Sequence, residues 1–217
     1  MSRTKADPAS AFVPSTRSLR TLARAASGCT ACELYKRGTQ TVFGEGPVPA
    51  SIMLVGEQPG DREDLDGRPF VGPAGGLLDK ALREANLARD DVYVTNAVKH
   101  FKWRPVGKRR LHERPDRNEI EICKPWLQAE IALVHPACVV AMGATAAVSL
   151  LGKRVGIASS RGTVRRGLAE TPVLVTFHPS SLLRMTERED ADARFAELVE
   201  DLRLATRVVR GEAMLAS

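Results

Sequence analysis

The chain has 217 residues, of which 43% are hydrophobic and 27% are charged, and its formal net charge is +6. This composition excludes a largely disordered chain, and the length suits one α/β domain with a sizeable core. No apolar run approaches the roughly 20 residues of a transmembrane helix, and the N-terminus lacks the apolar segment of a signal peptide. We therefore expect a cytoplasmic or nucleoid-associated protein with no membrane partner. Its basic charge favours nucleic acid as a partner, although a basic surface that meets only solvent has the same charge.

The order of the predicted elements indicates an α/β fold. Residues 1–14 mix Pro, Ala, Ser and charge without periodicity and predict a flexible tail, and a helix is expected from Ser15 to Ser27 with Ser15 or Thr16 as its cap. Four strand-and-helix units follow, and residues 15–217 are expected to form a single domain of three αβα layers around a central four-stranded parallel sheet. The strands are Ile52–Val55, Val92–Thr95, Cys138–Met142 and Val173–Phe177, and the helices are Ala74–Ala85, Arg117–Val134, Ala144–Leu151 and Asp190–Val208.

Polar side chains follow all four predicted strands. Ligands of open parallel sheets bind beyond the carboxyl ends of the strands, so these side chains are expected to meet at one edge although they lie far apart in sequence. They include a carboxylate, two amides and a histidine, which predicts a functional site there. The residues are Glu57, Gln58 and Asp61, then Asn96, then Thr145, and then His178, Ser180 and Ser181.

The chain has four cysteines, which a reducing compartment would keep out of disulfides. Cys29 and Cys32 form a close pair, whereas 14 residues separate Cys123 from Cys138. Four thiolates suit either a tetrahedral zinc site or an iron–sulfur cluster, and a zinc site more often has two close pairs. Buried thiols without a metal are a third interpretation, which suits Cys138 at a strand start best.

A glycine-rich loop between Gly56 and Gly76 precedes the second predicted helix. It contains neither the P-loop pattern nor G-x-G-x-x-G, so a nucleotide-binding domain is not indicated. The glycines instead suggest that backbone amides approach a base or a phosphate. Phe70 in this loop either packs the loop onto the core or forms a platform that stacks on a base.

Between Lys99 and Arg117 basic residues alternate with the aromatic residues Phe101 and Trp103. This mixture is typical of nucleic-acid binding, although a solvated basic loop is the simpler interpretation. Its length, its charge and its place directly after Asn96 favour the first.

Four motifs resemble the uracil-DNA glycosylase superfamily, in the order in which that family has them. They are Gly56-Glu57-Gln58-Pro59-Gly60, the run from Arg68 to Gly75, Thr95-Asn96, and the run from His178 to Arg184. The cysteine spacing resembles the iron–sulfur members in families 4 and 5. Gln58 and the loop Lys108-Arg109-Arg110-Leu111-His112 resemble the UdgX branch.

The resemblance implies a [4Fe–4S] cluster on Cys29, Cys32, Cys123 and Cys138, with zinc as the alternative metal. It also implies a uracil pocket. The Asn96 amide would pair with uracil N3–H and O4, which cytosine presents in reverse, and Phe70 would stack on the flipped base. Gln58, Asp61 and His178 are the other residues expected in this pocket.

The resemblance further implies how the glycosidic bond breaks. His178 would donate to uracil O2 and stabilise the departing anion, and Glu57 would stabilise the cationic sugar. In the UdgX branch, His112 then bonds to C1′ and the protein stays attached to DNA.

The expected partner is uracil-containing DNA, preferably single-stranded, bound by a monomer. Two rivals are a glycosylase that turns over by water attack, in base excision repair, and a non-catalytic iron–sulfur DNA-binding module. The residues expected to touch the DNA backbone are Lys108, Arg109, Arg110, Ser180, Ser181 and Arg184.

Overall fold

A computed structural model describes residues 8–213 of the chain. The strands are β1 Ile52–Gly56, β2 Val92–Asn96, β3 Trp103–Val106, β4 Arg109–His112, β5 Cys138–Met142, β6 Val164–Arg166 and β7 Pro172–Thr176. The helices are α1 Leu19–Ala26, α2 Asp61–Asp66, α3 Pro73–Glu84, α4 Arg117–Val134, α5 Ala144–Leu151, α6 Ile157–Ser160, α7 Pro179–Leu182 and α8 Arg188–Val209. Short 3-10 helices span Ala9–Phe12, Glu33–Lys36, Arg89–Asp91 and Leu168–Glu170.

The central sheet has the strand order β2-β1-β5-β7-β6. The first four strands pair in parallel, with Ile52 beside both Val92 and Cys138, which confirms the four predicted strands. The fifth strand, β6, was not predicted and runs antiparallel at the edge. Its three residues, Val164 to Arg166, are too few and too basic to produce a strand pattern, and pairing with β7 alone makes them a strand.

The two faces of the sheet are covered by different helices. Ile52 and Leu54 point into a core with α3 and α8, whereas Met53 and Val55 point into a core with α4 and α5. This alternation follows from the period of two in a strand. The predicted three-layer αβα architecture is therefore confirmed.

The N-terminal part differs from its prediction. Ala9–Phe12 forms a 3-10 helix, and Ala9 is buried in the core beside α1 and α4, so a flexible tail is not found at these residues. Helix α1 begins at Leu19 with Ser18 as its cap, not Ser15 or Thr16. Residues 1–7 of the predicted tail and residues 214–217 of the predicted domain lie outside the described residues.

The basic stretch after Asn96 contains an antiparallel hairpin, β3–β4, where the sequence predicted a loop. Most of its residues are exposed, so no apolar alternation marked its strands. Gly107, at φ +57°, occupies the turn in a conformation that glycine adopts readily.

Within residues 8–213, no helix is long and apolar enough to cross a membrane.

Helix α4 begins with a reciprocal cap, in which the Asp116 side chain accepts from Glu119 N–H at 3.0 Å and Glu119 accepts from Asp116 N–H at 2.7 Å. We expect Asp116→Ala to lower the free energy of unfolding by about 1 kcal/mol, because the Glu119 amide loses its partner. Urea denaturation measures the change. Asp116→Ser keeps an oxygen at the cap and should stay close to the wild type; equal losses in both variants would contradict the capping role.

Candidate active site

Glu57 lies directly after β1 and contacts side chains from two other strand ends. Its Oε1 is 3.3 Å from Nε2 of His112, the last residue of β4. Its other oxygen accepts a short hydrogen bond from the Thr145 hydroxyl, which lies in the first turn of α5 after β5. The structure therefore brings together the predicted carboxylate and the predicted loop histidine.

The pKa of Glu57 reflects two opposing effects. Burial raises this pKa. Hydrogen bonds from His112 and Thr145 and the nearby imidazoles of His112 and His178 lower it by more, so the net shift is downward. Glu57 is thus ionised at neutral pH in a half-buried position. A fixed negative charge of this kind stabilises positive charge that develops beside it.

Asn96 ends β2 and lies next to the aromatic ring of Phe70. A Cβ at Gly56 would overlap both Asn96 Oδ1 and the Phe70 ring, so these three residues meet closely. Asn96 is buried, and its Oδ1 has no hydrogen-bond partner among the described residues. A buried acceptor without a partner costs free energy, which a ligand N–H would recover.

Phe70 fits both interpretations of the sequence. It belongs to the core between the sheet and α3, and its ring centroid is 5.8 Å from that of His178. Its φ of +55° is unusual for a bulky residue and is typical of backbone held for function.

His178 follows β7 and caps α7. Its Nδ1 accepts a hydrogen bond from Ser180 N–H at 3.1 Å and lies 2.8 Å from the Ser180 hydroxyl. Burial lowers the pKa of His178 to about 4, although the Glu57 charge acts in the opposite direction. A neutral ring that accepts through Nδ1 carries its proton on Nε2, where it is available as a donor.

The two other predicted DNA-binding residues of this motif also stabilise the turn. Ser181 Oγ donates to the His178 carbonyl at 2.6 Å, and Arg184, which is exposed, donates to Ser180 Oγ at 3.2 Å.

Gln58, which the sequence assigned to the uracil pocket, forms hydrogen bonds at the base of the β3–β4 hairpin. Its Nε2 donates to the carbonyls of Lys102 and Glu113, and its Oε1 accepts from Lys102 N–H, all at 3.0–3.1 Å. Lys102 and Glu113 are the residues on either side of the β3–β4 hairpin. Gln58 thus anchors the base of the hairpin that carries His112.

Asp61 and Arg110 form a second anchor for the hairpin. Arg110 pairs with Asp61 at the start of α2 and with buried Asp64 at 2.6 Å, and its guanidinium lies 5.5–5.6 Å from the ring centroids of Phe101 and Trp103. Asp61 is therefore engaged with the hairpin, and Arg110 is neutralised within the protein. Lys108 and Arg109 are exposed, as DNA contacts require.

Comparison with known proteins places this site in a family. Residues 43–203 match the Uracil DNA glycosylase superfamily. The chain belongs to the uracil-DNA glycosylase superfamily. It is 44% identical over 162 residues to a type-4 uracil-DNA glycosylase of Thermotoga maritima, covering 74% of this chain and 81% of the relative. Type-4 enzymes of Pyrobaculum aerophilum and Archaeoglobus fulgidus are 37% and 34% identical, covering 72% and 84% of this chain and 80% and 92% of the relatives.

Three cysteines of this glycosylase lie in one region and the fourth does not. Cys29, Cys32 and Cys123 pack in or against the same core between α1 and α4, and burial raises the pKa of Cys123 to about 12, with Cys32 and Cys29 adding to the rise. Cys138 is fully buried in the core on the opposite face of the sheet, and burial alone raises its pKa to about 12.

The structure thus brings three of the four predicted cysteine ligands into one core and places Cys138 in another. The register explains this, because Cys138 lies beside Ile52 and faces α3 and α8, whereas Cys123 belongs to α4. In residues 8–213, no three His, Cys, Asp or Glu side chains are grouped closely enough to hold a single metal ion.

Sequence reasoning placed Thr145 at the rim after β5 but did not assign its contact with Glu57, and it missed two further polar residues near the glycosylase site. Lys99 and Glu130 form a buried ion pair behind Asn96. Lys99 looked like one more cation of a basic stretch, and no local pattern marks it as buried.

The low pKa of His178 predicts an unusual pH profile for uracil excision. In a His112→Ala variant, which lacks the other site histidine, the rate should show no titration near the ordinary histidine pKa of about 6.5. It should fall only as the pH approaches about 4, where protonation of Nδ1 breaks the bond from Ser180. Single-turnover rates against pH measure this together with the NMR shifts of the His178 ring, because loss of the His112 hydrogen bond also raises the pKa of Glu57 in this variant. A His178 ring that titrates near 6.5 would contradict a neutral, buried His178.

Proposed function

We propose that this uracil-DNA glycosylase excises uracil from DNA once and then remains covalently attached to the abasic sugar through His112. The observation that carries the proposal is the contact between His112 Nε2 and Glu57 Oε1, at 3.3 Å, near the buried Oδ1 of Asn96, which has no partner within residues 8–213. One group recognises the base, and the other two act on the sugar.

Recognition of uracil rests on Asn96. Its Oδ1 accepts the N3–H of uracil, and its amide N–H donates to O4, so a single side chain reads both groups. Cytosine has no N3–H and carries an amino donor where uracil has O4. It would therefore set an acceptor against Oδ1 and a donor against the amide N–H. Phe70 stacks on the flipped base.

Cleavage of the glycosidic bond produces a uracil anion and a cationic sugar, and one side chain stabilises each of them. His178 donates through Nε2–H to uracil O2 as the base leaves with the bonding electrons. The ionised Glu57 carboxylate, held by Thr145, stabilises the cationic sugar that remains. Both groups are fixed before the reaction, which avoids reorganisation at that moment.

Capture follows from the position of His112. One ring nitrogen of His112 forms a bond to C1′ with its lone pair, while the electrons of the glycosidic bond leave with uracil. The other ring nitrogen passes its proton to the Glu57 carboxylate, which leaves a neutral substituted imidazole. Gln58 and Arg110 hold the hairpin against the rest of the domain, so the nucleophile is present before water can attack. A glycosylase that turns over by water attack is the alternative.

The DNA partner is proposed to be single-stranded and the protein a monomer. Exposed Lys108, Arg109 and Arg184 flank the site and suit phosphate contacts.

Replacing the nucleophile should convert the trap into a turnover enzyme. His112→Ala leaves Glu57, Asn96 and His178 in place, so the bond should still break and water should take the cation. A uracil-containing oligonucleotide should then give an alkali-sensitive abasic product in place of a shifted band on a denaturing gel.

Glu57→Gln is the matched variant, since it keeps the shape of the side chain and removes the charge; it should lose both cleavage and crosslinking. A crosslink that persists in His112→Ala would move the nucleophile elsewhere. Binding without any cleavage in that variant would make His112 part of bond breaking.

We further propose that a [4Fe–4S] cluster is held by Cys29, Cys32 and Cys123, with His100 as the fourth ligand. His100 is buried and follows Lys99, whose N–H donates to Cys123 Sγ at 3.3 Å. His100 Nε2 lies 2.9 Å from Thr41 Oγ1, which donates to the Ala26 carbonyl that also accepts from Cys29 N–H. Such a cluster would join the N-terminal loop to α4, a structural role.

Iron content distinguishes this ligand set from the four-cysteine set. Cys123→Ser and His100→Ala should lose iron and visible colour, whereas Cys138→Ser, the control in the opposite core, should keep both. Iron loss in Cys138→Ser with retention in His100→Ala would restore the four-cysteine set. Stoichiometric zinc without iron in anaerobically prepared protein would exclude the cluster.

A further inference from the structure

Lys99 and Glu130 form an ion pair that is closed off from solvent, with side-chain exposures of 2% and 0%. Lys99 lies three residues after the end of β2, and Glu130 lies in the C-terminal part of α4. The pair therefore links the strand that carries Asn96 to the helix that carries Cys123.

Every hydrogen-bonding group of the pair has a partner. Glu130 Oε1 accepts from the Tyr93 hydroxyl at 3.0 Å, the Thr95 hydroxyl at 2.9 Å and Gly44 N–H at 3.1 Å, and its other oxygen accepts from Lys99. The three N–H groups of the Lys99 ammonium reach Glu130, Thr95 Oγ1 at 2.7 Å and the Asn96 carbonyl at 2.8 Å. Such complete pairing allows two charges to be buried.

The contact with the Asn96 carbonyl holds the turn after β2. Immediately beyond it, Ala97 N–H donates to the Gly56 carbonyl and Val98 N–H donates to the Glu57 carbonyl, both at 3.0 Å. The backbone of the uracil-recognising amide is thus fixed from one side by Lys99 and from the other by β1.

Packing alone does not account for this ion pair. Replacing a buried ion pair by apolar side chains of similar volume is often neutral or stabilising, because two charges no longer have to leave water. We therefore look for the function of the pair in the groups to which it hydrogen-bonds. Among these, the Asn96 carbonyl belongs to the candidate active site, and it accepts from Lys99.

We infer that Lys99, held by Glu130, is a positioning residue that orients Asn96 for uracil recognition. The inference rests on the proposed role of Asn96 in reading uracil. In the described part of the chain, Asn96 Oδ1 has no hydrogen-bond partner to fix it, so its position depends on the backbone that carries it. A displacement of about 1 Å from a distant change can reduce a rate about 100-fold.

A double-mutant cycle tests whether Lys99 acts through Asn96. Lys99→Met/Glu130→Leu removes both charges and keeps the volume, and it is made in the full chain with and without Asn96→Ala. Single-turnover excision from a uracil-containing single-stranded oligonucleotide is measured at saturating protein, together with the protein concentration that gives half the maximal rate. A surface pair on α3, Lys80 and Glu84, supplies the matched control as Lys80→Met/Glu84→Gln.

We expect the buried-pair variant to melt below the wild-type temperature, because the Tyr93 and Thr95 hydroxyls, Gly44 N–H and the Asn96 carbonyl lose a buried partner. Measured well below that melting temperature, it should excise uracil about 10- to 100-fold more slowly when Asn96 is present. In the Asn96→Ala background, the same substitutions should change the rate by no more than about 2-fold, because coupled residues are not additive. The surface control should leave both backgrounds unchanged. If the buried-pair variant does not fold, Glu130→Gln is isosteric and is carried through the same cycle.

Two results separate failure of this inference from failure of the proposed function. An equal fall in both backgrounds, or no fall in either, would overturn the positioning role of Lys99 and leave the role of Asn96 intact. Wild-type excision by Asn96→Ala itself would overturn the proposed recognition of uracil and the inference with it.

Discussion

The parallel pairing of β1 with both β2 and β5 is the constraint on which the site depends. Because all three strands run in the same direction, Glu57, Asn96 and Thr145 leave the sheet at the same edge. The fourth parallel strand, β7, adds His178 there. The strands themselves are buried on both faces, so the site is carried by a rigid support, and only its rim is free to vary.

The hairpin adds to this rim a residue that the sheet could not supply. It has almost no core of its own, and its strands are exposed, so an isolated hairpin of this length would be marginal. Polar contacts compensate. Gln58 bonds to the residues flanking the hairpin, and Arg110 pairs with Asp61 and Asp64. These contacts hold His112 beside Glu57 and engage side chains that the sequence assigned to base and phosphate contacts.

The site contains one charged group and one neutral group, and each is held in that state by its surroundings. Glu57 keeps its charge although it is half-buried, because Thr145 and His112 donate to it. His178 is kept neutral by burial, and Ser180 sets its tautomer. One side of the site therefore favours a developing cation and the other favours a departing anion. That arrangement suits cleavage of a bond between a sugar and a base.

The sequence by itself determined the elements with strong local signals and the residues that follow them. Apolar strands and capped helices are local patterns, and the ends of parallel strands must meet, so Glu57, Asn96 and His178 were predictable as one site. Tertiary structure decided which face of β5 carries Cys138 and that Lys99 is buried against Glu130. It also decided that Gln58 binds the base of the hairpin and that Arg110, within the hairpin, pairs with Asp64. These depend on register and on partners distant in sequence, and a cation or an amide has the same local pattern whether it meets DNA, solvent or a buried carboxylate.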